Sequence, residues 1–303
     1  MSIPQAVEIL RAGGLVVFPT ETVYGLGADA TNPRAVARIF AAKGRPRFNP
    51  LISHVLGVEQ AAQHGELHKH ALALAERHWP GPLTIVVPRR ADSTVAELAC
   101  AGLSSIALRA PADPMARALL TAFAGPIVAP SANRSGHVSA TTAEHARADL
   151  GDAVDLILDG GPSTIGLEST IVAVDADGRT ALLRPGAISR EAIEAVAGPL
   201  AAASPGVIAA PGMLESHYAP RARLVLDVSS PPPGKPYLAF GAPAPAGGLT
   251  LSASGDLIEA AANLYAHLRA LDAGADTIAV APIPGDGLGE AIRDRLARAA
   301  APR

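Results

Sequence analysis

Basic residues in the segment 43–54 could bind an anion. Lys43, Arg45 and Arg47 lie together where an apolar helical pattern ends. A guanidinium presents a planar fork to phosphate or carboxylate oxygens and an ammonium acts as a point charge, so these side chains could gather phosphate oxygens. Alternatively, Lys43 only complements the negative end of the helix dipole. The residues alone leave both interpretations open.

Two further arginines, Arg109 and Arg184, each follow a short apolar run at a predicted strand end. A guanidinium there is costly to bury unless it meets an anion, which could be a ligand or a carboxylate of the protein itself. Hydroxyl and amide side chains follow several other apolar runs, and so many polar strand ends are hard to explain by structure alone. Because open α/β sheets build their sites where strands end, the pattern favours a shared polar site.

The segment 19–27, PTETVYGLG, follows the apolar run LVVF directly. Its hydroxyls, carboxylate and glycines could admit a small polar ligand close to the backbone, although an ordinary turn has the same composition. Gly25, Gly27 and Ala30 loosely match a dinucleotide fingerprint, but no acidic residue ends a second strand about 20 residues later. The chain has no GxxxxGK[ST] or G-x-S-x-G motif, so the common NTPase and serine-hydrolase classes lose support.

Histidine and cysteine usage argues against a metal centre. His64, His68 and His70 have a spacing that could bring two imidazoles to one helix face. No Asp or Cys nearby completes a metal set, so we predict a solvated surface for these histidines and no metal site. Cys100 is the single cysteine, which excludes an intramolecular disulfide and a cysteine-rich zinc site and fits a reducing compartment.

Charge and hydropathy limit the class of protein further. The 303-residue chain has 25 basic and 28 acidic side chains and a net charge of −3, which disfavours wrapping nucleic acid as a primary role. No apolar run reaches the roughly 18 residues of a membrane span, and the start, MSIPQAVEIL, does not have the pattern of a signal peptide. We therefore expect a soluble cytoplasmic protein with no membrane association.

Short elements must position these side chains. Runs rich in Val and Ile predict buried strands at LVVFPTE, LTIVVP, SIALRAP, IVAPSAN, STIVAV and ALLRPG. Helices are predicted after the N-caps Asn32 and Asp113, each followed by proline, and Gly44 is predicted to end the first. Thr141 with Glu144 predicts a capping box. The alternation of strands and helices indicates an α/β class.

The chain is predicted to divide at residues 201–220, which are rich in Ala, Gly and Pro and are typical of a linker. Residues 1–200 would form a larger α/β domain and residues 221–303 a smaller one. In the smaller domain we predict strands at RLVLDV and TIAVAPI and helices at IEAAANLYAHLRALD and GEAIRDRLARAA.

Together, the motifs resemble those of the L-threonylcarbamoyladenylate synthases. They occur in the order PTETVYGLG, KGRP, NPLISH, WPGPLT, SIALRAP, APSANRSG, GLESTIV, LRPG and APGMLESHYAP. The resemblance extends over nearly the whole chain and is to the long form of the family. It implies a YrdC-like twisted open sheet with helices, a linker, and a smaller α/β, Rossmann-like C-terminal domain.

The resemblance implies a nucleotidyltransferase that joins L-threonine, bicarbonate or CO2, and ATP into L-threonylcarbamoyl-AMP with release of pyrophosphate. The carbamate oxygen would attack the α-phosphorus without a protein nucleophile, so the protein would position reactants and neutralise charge. Mg2+ would arrive with ATP. The product would pass to a tRNA threonylcarbamoyl transferase complex, and direct binding of tRNA by this chain is not expected.

The resemblance also assigns residues. Those implied for L-threonine are Thr22, His54, Arg109, Ala129 and Ser169. Those implied for ATP are Lys43, Arg45, Asn49, Ser105, Ser131, Asn133, Ser139, Arg184 and Tyr218. Lys43 and Arg45 are the residues expected to assist catalysis, and Tyr218 is expected to close the site from the linker as a lid.

Two other functions are alternatives to the synthesis of L-threonylcarbamoyl-AMP. An RNA-binding or ribosome-associated factor could use the same cationic surface without catalysis, but a near-neutral chain disfavours phosphate-led affinity. A carbamoyltransferase domain of the hydrogenase-maturation type shares the YrdC-like fold. It is disfavoured because those proteins carry cysteine-rich zinc modules and this chain has one cysteine.

Overall fold

The computed structural model describes residues 2–202, 210–212, 216–231 and 234–302. Within these ranges the strands form one sheet of nine and one of four. The larger sheet uses strands up to Arg184 and the smaller one uses strands from Arg223 onward. Both sheets are joined by helices, so the predicted α/β class is confirmed. No helix in the described ranges is long and apolar enough to cross a membrane.

The larger sheet is mixed, with the order β7-β1-β2-β6-β3-β5-β4-β8-β9. Its strands are β1 Val16–Phe18, β2 Gly25–Asp29, β3 Ile52–His54, β4 Leu83–Pro88, β5 Ser105–Arg109, β6 Ile127–Val128, β7 Leu156–Ile157, β8 Thr170–Val174 and β9 Thr180–Arg184. Each apolar run predicted as a strand contains one of them. The runs are confirmed: most of their Val, Ile and Leu side chains are buried in the core, and Leu182 and Leu183 of β9 are partly buried.

Strand β2 was not predicted, since the sequence suggested a turn around Gly25 and Gly27. It pairs antiparallel with β1, and Gly27 lies opposite Val16. A Cβ on Gly27 would come within 2.8 Å of Phe18 Cε1 and 3.1 Å of the Val16 carbonyl oxygen. These glycines therefore allow close packing within the sheet, and the loose dinucleotide match has no structural counterpart.

Helices flank the larger sheet at α1 Ile3–Arg11, α2 Pro33–Lys43, α3 Val58–Ala61, α4 Lys69–His78, α5 Pro114–Phe123, α6 Ala143–Leu150 and α7 Arg190–Ala197. The Asn32 cap is confirmed, because its side chain accepts from two backbone N–H groups, and α2 ends at Gly44 with φ 60°. The Asp113 cap is confirmed in the same way. The capping-box prediction is wrong by one residue, since Thr142 rather than Thr141 caps α6.

The smaller sheet is parallel, with the order β10-β13-β11-β12. Its elements are β10 Arg223–Val225, β11 Tyr237–Ala239, β12 Leu249–Thr250, α8 Leu257–Asp272, β13 Thr277–Val280 and α9 Leu288–Ala300. The predicted strands and helices are confirmed. Strands β11 and β12 were missed because they are very short and lie in a segment rich in proline and glycine.

The two units pack against each other directly. Val23, Val138 and Leu167 from the larger unit belong to the same buried cluster as Leu264 of α8 and Ile292 of α9. This places the helices of the smaller unit behind the segments 19–27 and 167–169, both of which carry predicted site residues.

Candidate active site

A cavity opens where polar strand ends of the larger sheet meet the chain around Tyr218. Counted with the open solvent at its mouth, it has a volume of about 520 Å³. It is lined by Thr20, Thr22, Val23, Tyr24, Gly25, Arg45, Ile52, His54, Arg109, Ala129, Pro130, Ser131, Glu168, Ser169, Arg184, Pro211, Gly212, His217 and Tyr218. All residues expected to hold threonine line it, together with four of those expected to hold ATP.

Arg109 ends β5 and already has a protein partner. Its Nη2 lies 2.7 Å from Glu21 Oε1, its Nη1 donates to Thr22 Oγ1 at 2.9 Å, and its Nε donates to the Gly81 carbonyl at 3.3 Å. Burial raises the pKa of Glu21, but the charge and hydrogen bond of Arg109 outweigh this effect and the pKa is lowered overall. Arg109 is therefore a neutralised, oriented donor and not a free cation.

His54 ends the neighbouring strand, β3, and is paired in parallel register with Arg109. Its ring meets Phe18 edge to face, with centroids 6.0 Å apart, which fixes the orientation of the imidazole. Burial and the nearby charge of Arg109 lower the pKa of His54 to about 3. A neutral imidazole at this position can exchange hydrogen bonds with an amine or a carboxylate.

Ser169 lies just before β8, and its hydroxyl is held from two sides. Thr84 on β4 lies 2.7 Å away, oxygen to oxygen, and Arg184 Nη2 donates to the same hydroxyl at 3.2 Å. Thr84 is fully buried and was not among the predicted site residues, although it stands in the motif WPGPLT. It fixes the Ser169 side chain at the cavity wall.

Within the described ranges, three buried cations have only carbonyl, hydroxyl or phenol oxygens as hydrogen-bond partners. Arg45 Nη2 donates to the Pro50 carbonyl at 2.9 Å, and Arg184 donates to the carbonyls of Ser169 and Pro211. Lys43 Nζ donates to two carbonyl oxygens of the loop that follows β6. Among the described residues, no carboxylate lies within ion-pair distance of any of the three.

Burial of these cations changes the pKa values of Arg45 and Lys43. Burial, with a further contribution from the charge of Arg184, lowers the pKa of Arg45 to about 10. Burial and the charge of Arg45 lower the pKa of Lys43 well below its usual value. A buried positive cluster is unfavourable unless an anion compensates it, so this arrangement favours an anionic ligand.

The remaining predicted ATP residues do not line the cavity. The Asn133 amide donates to two backbone carbonyls nearby, and the Ser139 hydroxyl donates to Glu168. Ser105 is half-buried at the start of β5, at the opposite end of that strand from Arg109. The Asn49 amide is fully buried near Arg45, and no described residue forms a hydrogen bond with it. Lys43 lies just behind the wall formed by Ser131.

The linker contributes two adjacent rings. Tyr218 lies with its hydroxyl 3.4 Å from Arg184 Nη1, and His217 lines the cavity beside it. Gly212 adopts φ 82°, and a Cβ there would lie 2.3 Å from the Tyr218 hydroxyl. His217 was not predicted as a site residue, although it precedes Tyr218 in HYAP. Of the predicted linker, residues 203–209 and 213–215 lie outside the described residues.

Glu168, in the motif GLESTIV, is a further cavity residue; the sequence indicated it as a polar residue at a strand end but assigned it no role in the site. It is buried in the cavity wall and accepts hydrogen bonds from Ser139, from Tyr265 at 2.8 Å and from Arg295 at 2.8 Å. Burial raises its pKa, but the charges of Arg295 and Arg184 outweigh this effect and bring the pKa to about 2. Glu168 is therefore a carboxylate at every physiological pH.

The histidines near residue 64 do not form a site. His64 is buried and its Nδ1 lies 3.3 Å from the Ser93 hydroxyl, so the prediction of a solvated surface is wrong for this residue. His70 Nδ1 lies 2.8 Å from the Gly178 carbonyl oxygen. Within the described ranges, no group of three or more His, Cys, Asp or Glu side chains could hold a metal ion.

Comparison with known proteins identifies the family. A family model described as "Telomere recombination" (Sua5_yciO_yrdC) matches residues 8–186, and one described as "Threonylcarbamoyl-AMP synthase, C-terminal domain" matches residues 188–301. The chain belongs to the threonylcarbamoyl-AMP synthase family. The resemblance inferred from its motifs, including the two-part long form, is thereby confirmed.

Individual relatives match almost end to end. A protein from Bacillus subtilis named threonylcarbamoyl-AMP synthase is 40% identical over 99% of this chain and 93% of the relative. One of the same name from Pyrococcus abyssi is 38% identical over 97% of this chain and 92% of the relative. The crystal structure of P. abyssi Sua5 complexed with L-threonine superposes with a TM-score of 0.91 at 37% identity, covering 98% of this chain and 94% of that one. The family and the fold thus agree over both units.

Proposed function

We propose that this chain synthesises L-threonylcarbamoyl-AMP from L-threonine, bicarbonate or CO2, and ATP, and releases pyrophosphate. The observation that carries the proposal is the cluster of Lys43, Arg45 and Arg184 beside a hydroxyl-lined pocket; these cations are buried, and no carboxylate of the described residues pairs with them. Such a cluster suits a triphosphate, and the pocket suits a small polar amino acid. The names of the relatives and the threonine complex of P. abyssi Sua5 support the same assignment.

In the proposed reaction, the amine of threonine and CO2 form a carbamate and release a proton. A carbamate oxygen then attacks the α-phosphorus of ATP, a new P–O bond forms, and the bond to the pyrophosphate leaving group breaks. The step needs no protein nucleophile. What the protein supplies is proximity of the two reactants and positive charge around the phosphates, with Mg2+ entering as part of the ATP substrate.

The proposed threonine subsite lies between β3 and β5. Arg109, held by Glu21, and the hydroxyls of Thr22 and Ser169 would receive the carboxylate and hydroxyl of the amino acid. His54 is neutral above about pH 3 and can accept a hydrogen bond from the amine, while Ala129 contributes backbone at the floor. Because the Arg109 charge is balanced within the protein, this subsite would orient its ligand mainly by hydrogen bonds.

The proposed nucleotide subsite extends from the cations along the face of β5. Ser105, Ala107 and Arg109 alternate along the strand and therefore share one face, with Ser105 about 13 Å from Arg109. Ala107 packs there with Ile52, Ile171 and Ala210 in a small apolar cluster. We expect the phosphates at Lys43, Arg45 and Arg184 and the nucleoside along this apolar strip toward Ser105.

The same burial argues against an RNA-binding factor. Lys43 and Arg184 are each 3% exposed and Arg45 is 6% exposed. A polynucleotide backbone lying on the surface could not reach these cations, whereas a small triphosphate could enter the cavity. We propose that the product leaves for a separate tRNA-modifying complex in the cytoplasm and that this chain does not itself hold tRNA.

The proposal is tested by incubating the full chain with ATP, L-threonine, bicarbonate and Mg2+. We expect pyrophosphate release that depends on threonine, together with a product having the mass of threonylcarbamoyl-AMP. Arg45→Met, which removes one unpaired cation, is expected to lower this rate strongly. Pyrophosphate release that is indifferent to threonine would contradict the proposal.

A further inference from the structure

Two residues of the smaller unit reach the wall of the cavity. Tyr265 on α8 and Arg295 on α9 both donate to Glu168 Oε2, each at 2.8 Å. Tyr265 and Arg295 are at most 1% exposed. Glu168 is the neighbour of Ser169 and lines the cavity, so the C-terminal helices are in direct contact with the site.

The same two side chains enclose the ring of Tyr218. The Tyr265 ring stacks on it with centroids 5.9 Å apart and an interplanar angle of 27°, and the Arg295 guanidinium carbon lies 5.2 Å from its centroid. The Tyr218 backbone has φ 62°, in the left-handed region that residues other than glycine rarely adopt. A strained residue of this kind persists only where its surroundings fix it, and here two side chains of the smaller unit do so.

We propose that Arg295 and Tyr265 are positioning residues for the nucleotide subsite: they hold Tyr218 over Arg184 and thereby set the affinity for ATP. This inference rests on the proposed function, because it assigns Arg184 to the phosphates. Neither residue lines the cavity, so both act on the nucleotide through Tyr218, while Glu168 anchors their side chains by accepting a hydrogen bond from each. The smaller unit is thus part of the nucleotide site and not only a neighbour attached through the linker.

Two further ion pairs join the two units. A variant that lacks one of them tests whether an effect on ATP binding comes from Tyr218 or from a general loss of packing. Arg190 on α7 forms an ion pair of 2.5 Å with Glu290 on α9, and in the described part of the chain neither residue forms a hydrogen bond or ring contact with Tyr218. Arg269 on α8 forms a two-pronged pair with Asp149, at 3.0 and 3.1 Å. Loss of the Arg190 pair should therefore loosen the same interface without releasing the tyrosine.

The test is calorimetric binding of ATP and, separately, of L-threonine to the full chain, which requires no turnover. We expect Arg295→Met to weaken ATP binding about tenfold, as for loss of one charge-assisted contact, and to change threonine binding less than twofold. The control Arg190→Ala should leave both affinities within twofold of the parent. In a Tyr218→Ala background, Arg295→Met should weaken ATP binding no further, because the group it positions is gone.

A second pair of variants keeps the test decisive if Arg295→Met fails to fold. Tyr265→Leu removes the stacked ring and is expected to weaken ATP binding, whereas Tyr265→Phe keeps the ring, loses only the hydroxyl and should bind ATP nearly as well as the parent. Equal loss of affinity for both ligands, or full additivity with Tyr218→Ala, would overturn the inference. A chain that binds ATP in this pattern but makes no threonylcarbamoyl-AMP would contradict the proposed function alone.

Discussion

The Arg109 guanidinium lies 2.7 Å from the Glu21 carboxylate, and both side chains are almost fully buried. The arginine that was expected to neutralise the carboxylate of threonine is already neutralised by the protein. Under the proposed function, Arg109 would supply oriented N–H donors to threonine, and Lys43, Arg45 and Arg184 would supply the positive charge for ATP.

The Glu21–Arg109 pair should be important for stability. Glu21→Gln leaves a buried guanidinium without its counter-ion, and we expect a loss of about 3 kcal/mol in the free energy of unfolding. Urea titration of the purified variant measures it. The matched control is Asp92→Asn, which breaks the exposed Arg90–Asp92 pair and should cause no measurable loss. Equal losses in the two variants would show that the buried pair contributes no more to the free energy of unfolding than the exposed pair does.

Thr84 should affect the binding of threonine through Ser169. Thr84→Val keeps the shape but removes the hydroxyl that lies 2.7 Å from Ser169 Oγ, so we expect threonine affinity to fall roughly three- to tenfold. Equilibrium titration with threonine measures the change. Thr180→Val is the control, because Thr180 is also buried in the sheet and no residue in the described part of the chain forms a hydrogen bond with its hydroxyl. An unchanged affinity for Thr84→Val would remove its assigned role.

Arg184 should govern ATP binding. Arg184→Met removes a buried cation that no carboxylate of the described chain pairs with, and we expect ATP affinity to fall about ten- to a hundredfold. Arg117→Met is a suitable control, since among the described residues Arg117 also donates only to backbone carbonyls, at Leu56 and Pro111, and it does not line the cavity. Similar ATP affinity in both variants would exclude Arg184 from the nucleotide subsite.

The free energy of unfolding should decrease as the pH drops below about 6.5. His54 and His217 have folded pKa values of about 3, so between pH 6.5 and 3 the unfolded chain binds protons that the folded chain does not. For each histidine this costs about 2 kcal/mol between pH 7 and pH 5. Urea titrations of the parent and of His217→Gln should show that the variant loses about 2 kcal/mol less. Identical losses would mean that His217 is not held neutral in the folded state.

The sequence predicted regular elements where the residues themselves decide the conformation. Apolar Val- and Ile-rich runs became strands, and Asn32 and Asp113 became helix caps, because these signals are local. Strand β2 was not predicted. Its glycines allow a close approach to β1, and the local sequence pattern does not reveal this contact.

The ion-pair partners of the site residues were harder to predict from the sequence than the site residues themselves. Glu21 is 88 positions from Arg109, and Glu168 is 127 positions from Arg295, so only the folded chain brings these charges together. The motifs drew attention to the strand ends but could not tell a paired arginine from an unpaired one. That distinction, between Arg109 on one side and Arg45 and Arg184 on the other, is what separates the two proposed subsites.

A crystal structure of the full chain with a non-hydrolysable ATP analogue and L-threonine tests the central claim most directly. We predict phosphate oxygens within hydrogen-bond distance of Lys43, Arg45 and Arg184, and a threonine beside Thr22 and Arg109 with its amine facing the α-phosphorus. Phosphates bound elsewhere, with the three cations still on backbone carbonyls, would contradict it.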